Sequence, residues 1–288
     1  MHTQEAFTIK KYVDREALES STSHGILFIH ISAYTIKLVF ASKKQDAIFG
    51  MEILEVKDSL FKKSAIEINE LISSTEIIKT EYSAIKIIIE NNCHALIPEA
   101  LFVAEKADSF LKLNTSLHKR QHVLFNRLSK NMVSVFAITE QLFNSIKSIF
   151  PQSEIIHETE LMLELMYANY HKDQKDTLFV HVHHSFIEIA HLKNNELNFL
   201  NTFTIEGDTD IIYFILSVAE LLKLSQEKLR VNIFGNISST GSLIGLMKKY
   251  ISNVEMMKRP SQFSFPASFR EFQEQQHYIQ VNSLLCAL

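Results

Sequence analysis

Two histidines one residue apart, His181 and His183, stand in the stretch LFVHVHHSFIEIAH, residues 178–191. On an extended backbone side chains alternate with period two, so both rings share one strand face and such a pair could bind zinc or nickel. A third ligand is not evident in the sequence, because His184 faces the opposite way and His191 falls in the next strand. The pair is therefore read as partly exposed structural histidines, and no metal is expected. Cys93 and Cys286 lack any CxxC spacing, which leaves two reduced, unpaired thiols and no disulfide framework. No Ser/His/Asp or Cys/His spacing forms a nucleophile elbow or a catalytic-cysteine signature, so no enzyme chemistry stands out.

The chain that must position these residues has 288 of them, 46% hydrophobic. That is enough for a sizeable core and sets an expectation of two domains of roughly 100 to 150 residues each. A net charge of −4 with no basic stripe argues against a nucleic-acid partner, since phosphate neutralisation needs clustered Lys and Arg. The opening MHTQEAFTIKKYVDREALES alternates charged with single apolar residues and lacks a signal peptide's apolar stretch. Apolar runs elsewhere are too short and too often interrupted to cross a bilayer, so a cytoplasmic location is expected.

Strand-like content runs from Ile26 to Phe40 and from Ala47 to Val56, and a helical spacing of apolar residues follows from Leu60 to Ile72. Lys86 to Pro98 reads as a hairpin around Asn91 and Asn92, and residues 122–138 as another, turning at Ser129 to Asn131. Thr139 caps a helix that halts at Pro151, which ends a first lobe, residues 1–150. The second lobe, 151–288, opens with a short strand at Glu154 to His157 and a Leu- and Met-rich helix. Three strands follow near 178–182, 187–192 and 197–205, with a turn at Asn194 and Asn195. A capped helix begins at Asp208, the strand and glycine turn VNIFGNISSTG comes next, then a helix from about Leu243 to Tyr250. From Pro260 onward the chain reads as an extended linker that packs back on one lobe.

The order strand, strand, strand, helix occurs in both halves, and its openings match in letters. LFIHISAYTIKLVF, residues 27–40, shares Leu, Phe, His and Ile with residues 178–191 at the same four places. The expected class is α/β, with mixed sheets and flanking helices in two duplicated lobes.

A duplicated unit of this order resembles the actin-like ATPase superfamily, whose two ribonuclease-H-like lobes close around ATP. HISAYTIKLV, residues 30–39, is similar to the first phosphate loop of the pilus-assembly and cell-division members, which typically read Asp-Ile-Gly-Ser-Ser-Ser-Ile-Lys. Ile31, Ile36 and Lys37 match, and Thr35 is conservative. The whole chain, including HYIQVNSLLCAL and HALIPEALF, further resembles a bacterial family of unknown function, domain of unknown function 3822, assigned to that fold.

The resemblance implies a nucleotide cleft at His30, Ser32, Lys37, His181, His183, Gly235 and Ser238, and each departure from the family pattern bears on it. His30 stands where an Asp would organise Mg²⁺, an ion that prefers hard oxygen ligands. Ser32 replaces the glycine that lets backbone N–H groups approach phosphate. In the second loop Asp-x-Gly becomes His181, Val182, His183. The adenosine motif survives only as Phe234, Gly235, Asn236, Ile237, Ser238, with one glycine of two. Lys37 could reach phosphate as the family lysine does or simply guard a strand edge, and Gly235 could admit adenine or simply turn the chain. The leading expectation is a non-hydrolysing actin-fold scaffold that binds an unidentified protein and needs no cofactor. The alternative is a nucleotide binder or slow ATPase that uses ATP with magnesium.

Overall fold

A computed structural model describes residues 7–13, 25–44, 46–75, 77–79, 81–115, 117, 120–168, 177–225, 227–237, 241–259, 261–271 and 273–286. These fall into two compact units. The first draws on Met1–Leu161, Ser261–Phe269 and Ser283–Leu288, and the second on Met162–Pro260 and Arg270–Asn282.

In the first unit the regular elements are β1 (Phe7–Val13), β2 (Gly25–Ile31), β3 (Thr35–Ser42), β4 (Ile48–Val56), α1 (Ala65–Ser73), β5 (Ala84–Ile89) and β6 (His94–Pro98). They continue with α2 (Ala107–Asn114), β7 (Gln121–Leu128), β8 (Met132–Thr139), α3 (Glu140–Ile149) and β9 (Glu154–His157). The helix α4 (Glu158–Ala168) contains the division between the units. Six strands form a mixed sheet in the order β1-β4-β3-β2-β5-β9. Every residue of β2 is buried, as expected of a central strand covered on both faces. Both helices against this sheet start at side-chain caps. Ser64 and Glu67 form a reciprocal capping box on α1, and the Thr139 hydroxyl accepts from Leu142 N on α3. Ile68, Leu71 and Ile72 of α1 and Leu142 and Ile146 of α3 share one buried cluster with Leu27, Ile29 and Leu38. Each such side chain contributes roughly 1.5–3 kcal/mol of hydrophobic stabilisation.

The expected hairpin at Lys86 to Pro98 is not formed. β5 runs parallel between β2 and β9, whereas β6 joins a separate three-stranded sheet, β6-β8-β7. Asn91 makes the crossing: its side chain donates to Ala137 O (2.9 Å) and accepts from Cys93 N (2.8 Å), so it ties two sheets together instead of turning one back on itself. The hairpin of β7 and β8 does form, with Lys130 and Asn131 in the left-handed region at φ 59° and 54°. β9, placed by the sequence after the boundary at 150, pairs with β5 in the six-stranded sheet.

The second unit contains β10 (Thr177–Val182), β11 (Phe186–Lys193), β12 (Glu196–Thr204), α5 (Asp208–Leu221), β13 (Arg230–Gly235), α6 (Ser242–Met247), β14 (Asn253–Met256) and α7 (Tyr278–Asn282). Its sheet has the order β12-β11-β10-β13-β14, and Asn194 and Asn195 turn the second hairpin at φ 54° and 61°. Ile211, Ile215 and Val218 of α5 and Leu243 and Met247 of α6 pack on Leu178, Val180, Val231 and Ile233. The sequence β4-β3-β2-β5-β9 in the first sheet has the same order and the same pairing senses, two antiparallel and then two parallel. Among the described residues, no helix is long and apolar enough to cross a membrane.

Candidate functional site

In the first unit the loop between β2 and β3 is a four-residue turn closed by Ser32 N donating to Thr35 O (2.9 Å). The Ser32 hydroxyl oxygen accepts from Thr35 N (3.1 Å) and lies 2.8 Å from Thr35 Oγ1, so the side chain is spent on its own turn. His30 is 2% exposed and sits directly opposite Lys37 in the strand register. Its Nε2 lies 3.0 Å from Ser283 Oγ, and its Nδ1 stands 3.7 Å from the buried carboxylate of Glu158. Burial above all, with the Lys37 charge adding to it, pushes the His30 pKa down to about 3. The ring is neutral at physiological pH.

The second unit builds the same turn between β10 and β11, closed by His183 N donating to Phe186 O (2.9 Å). His181 faces Glu188 across the register, at the place that Lys37 holds against His30. The expectation of partly exposed histidines is corrected here: His181 and His183 are 5% and 4% exposed. His183 Nε2 is 3.3 Å and His181 Nδ1 3.8 Å from the same oxygen, Glu188 Oε2. His181 stacks on Phe234, and His183 on Phe186. Two aromatic walls and one carboxylate thus hold rings that a solvated strand face would leave loose.

Gly235, at the end of β13, has φ +101°. A Cβ there would overlap the Val182 carbonyl oxygen and stand 2.8 Å from His181 Cδ2, so glycine serves the close packing of β13 on β10. Ser238 lies outside the described residues. The structure therefore gathers His30, Ser32 and Lys37 around one turn and His181, His183 and Gly235 around the other. It also adds Glu158, Ser283 and Glu188, which the sequence reading did not single out.

The family model described as "Protein of unknown function (DUF3822)" matches residues 16–254. The chain belongs to this family. A protein of unknown function from Bacteroides thetaiotaomicron, with an actin-like ATPase fold, superposes with a TM-score of 0.78 at 19% identity, covering 93% of this chain and 98% of that one. The PilM-PilN type IV pilus biogenesis complex superposes at 0.57 and 14% identity, covering 91% and 98%. No curated protein matches the sequence. The DUF3822 chain has the actin-like ATPase fold.

That fold implies ATP and Mg²⁺, and the donors present do not suit them. Mg²⁺ demands oxygen ligands in near-ideal octahedral geometry, while the acid of each loop is an imidazole in this DUF3822 protein. A cavity of about 320 Å³ lies beside the second turn, lined by His183, His184, Gly207, Asp208, Asn236 and Ser242 among others. The start of α5 next to it would favour an anion, but the protein's own carboxylates already occupy that end. Asp208 Oδ2 accepts from Ser242 Oγ (2.9 Å), and Asp210 Oδ2 accepts from Glu206 N (2.7 Å). A phosphate entering here would meet like charge.

Proposed function

We propose that this DUF3822 protein is a cytoplasmic protein-binding scaffold that has kept the actin-like fold and does not hydrolyse ATP. The observation that carries this reading is the second turn, where both special positions of a phosphate loop hold buried imidazoles fixed against Glu188. Phosphoryl transfer from ATP is accelerated chiefly by positioned Mg²⁺ and phosphate-binding backbone donors, and a turn whose acid and glycine are both replaced by imidazoles suits neither. The PilM-PilN relative, which shares only the fold, is a complex of two proteins, and that supports a protein partner for this chain.

A second reading, a weak nucleotide binder, is favoured by the cavity beside His183 and Asn236. Titrating the full chain with ATP in the presence and absence of Mg²⁺, while following phosphate release, separates the two. The scaffold reading expects no turnover and at most weak binding that magnesium leaves unchanged. Micromolar, magnesium-dependent binding with steady turnover abolished by Lys37→Ala would replace it with the ATPase reading.

A further inference from the structure

The two histidines of the second turn lack a third ligand in the sequence, and the fold supplies one. Glu188 lies on β11 directly opposite His181, because the register of β10 with β11 pairs them. His183 follows β10 at the turn, and its ring swings back to within 3.3 Å of Glu188 Oε2. His181 Nδ1 is 3.8 Å from that oxygen, and ring nitrogens of the two histidines lie within 4.8 Å of each other. All three residues are at least 95% buried, with Glu188 at 2% exposure.

We propose that His181, His183 and Glu188 form a binding site for one divalent transition metal of the zinc class. Imidazole and carboxylate donors suit Zn²⁺, Co²⁺ and Ni²⁺ far better than Mg²⁺. In a tetrahedral zinc site with bonds of about 2.0–2.1 Å, the donor atoms stand about 3.3–3.4 Å apart. Two sides of the donor triangle, the nitrogen-to-oxygen spacings of 3.3 and 3.8 Å, approach that value, and rotation of the side chains would have to bring the two nitrogens to it as well. The charges agree as well: two neutral imidazoles and one carboxylate offset half of a dication's charge, and the ion relieves the cost of burying that carboxylate. Phe234 and Phe186 stack on the rings and fix the direction of their nitrogens, as outer packing does around established sites. Three protein ligands leave one position for water or a further donor.

The test uses the full chain after treatment with a chelator, titrated with Zn²⁺ by calorimetry and assayed for bound metal after gel filtration. One ion per chain is expected, together with a rise in Tm that Mg²⁺ does not produce. Glu188→Gln and His183→Gln should each weaken Zn²⁺ binding at least 10-fold. The exposed neighbour His184→Gln should leave it unchanged. Cobalt(II) added to the unaltered chain gives a readout that needs no variant: an intense visible absorption, as four- or five-coordinate sites show, is expected. Absence of that absorption, of stoichiometric zinc, or of any loss in folded Glu188→Gln and His183→Gln chains would overturn the proposal.

Discussion

The turn after β2 and the turn after β10 share one backbone and differ in what fills it. In both, the residue after the first strand donates to the carbonyl three residues on: Ser32 to Thr35, His183 to Phe186. In both, the third turn residue's carbonyl accepts from the end of the third strand or the residue after it: Tyr34 from Val56, Ser185 from Ile205. In both, the last residue of the central strand accepts from the next parallel strand's exit: Ile31 from Glu90, Val182 from Asn236. Every one of these bonds is made by main-chain groups, which any residue but proline can supply, so the frame survives changes of side chain. The chemistry does not. Opposite the central histidine in the strand register the first unit places Lys37 and the second Glu188, while the His30 ring also has the Glu158 carboxylate 3.7 Å from its Nδ1.

The largest effect should come from Gly235, where the two frames part. Its counterpart in the first sheet is Ile89, which pairs with Ile31 as Gly235 pairs with Val182. Only the second unit needs a positive φ at this position. Gly235→Ala meets the Val182 carbonyl as well as the strained backbone, and should destabilise the second unit by about 3 kcal/mol or more in urea denaturation. Gly207→Ala, at an extended φ of −170° with nothing near its Cβ, should cost less than about 1 kcal/mol. Equal losses in the two variants would mean that glycine is not required by the approach of β13 to β10.

What the sequence made legible was whatever local chemistry decides. Asn194 and Asn195 announced a turn because asparagine tolerates the left-handed region, and Thr139 announced a helix start because its hydroxyl can accept from the first turn. The same asparagine logic failed at Asn91, whose amide is committed to Ala137, 46 residues away, and no local pattern encodes that bond. The site divided in the same way. His30 and His181 stood out by type and position, but Ser283 reaches His30 from 253 residues along the chain. Glu188, only five residues beyond His183, stayed hidden because a strand glutamate reads as solvated until the register shows it opposite His181.

The next effect is a dependence on pH in the first unit, where two groups act with opposite sign. The folded pKa of His30, about 3, lies below its ordinary value near 6.5, so between those limits the unfolded chain holds a proton that the folded one lacks. This contribution is present above pH 6.5 and is lost as pH falls. Glu160 is pushed up to about 7 by burial, against bonds from His157 N and the Asn126 side chain, so the folded chain holds the extra proton between pH 4.5 and 7. That contribution is gained as pH falls. Each is worth ~1.4 kcal/mol per pH unit, and between pH 4.5 and 6.5 they cancel. His30→Gln should therefore shift the stability slope in that window toward greater stability in acid, and Glu160→Gln toward less, each by ~1.4 kcal/mol per unit relative to the unaltered chain. Urea denaturation at pH 6.5, 5.5 and 4.5 measures both. Slopes that move in the same direction would show that either the His30 ring or the Glu160 carboxyl carries the other charge state.

The smallest effect isolates the cross-strand charge itself. Lys37 lowers the pKa of His30, but desolvation is the larger cause, because a ring at 2% exposure has almost no water to stabilise its charged form. Removing the cation in Lys37→Ala should therefore raise the His30 pKa by less than about one unit, leaving it well below 6.5. Nitrogen-detected NMR of the imidazole across a pH series reads this shift directly. A rise to the ordinary value would show that Lys37, and not burial, keeps the first histidine neutral. The Lys37 charge would then set the charge state of His30, where otherwise it only adjusts a state that burial has already decided.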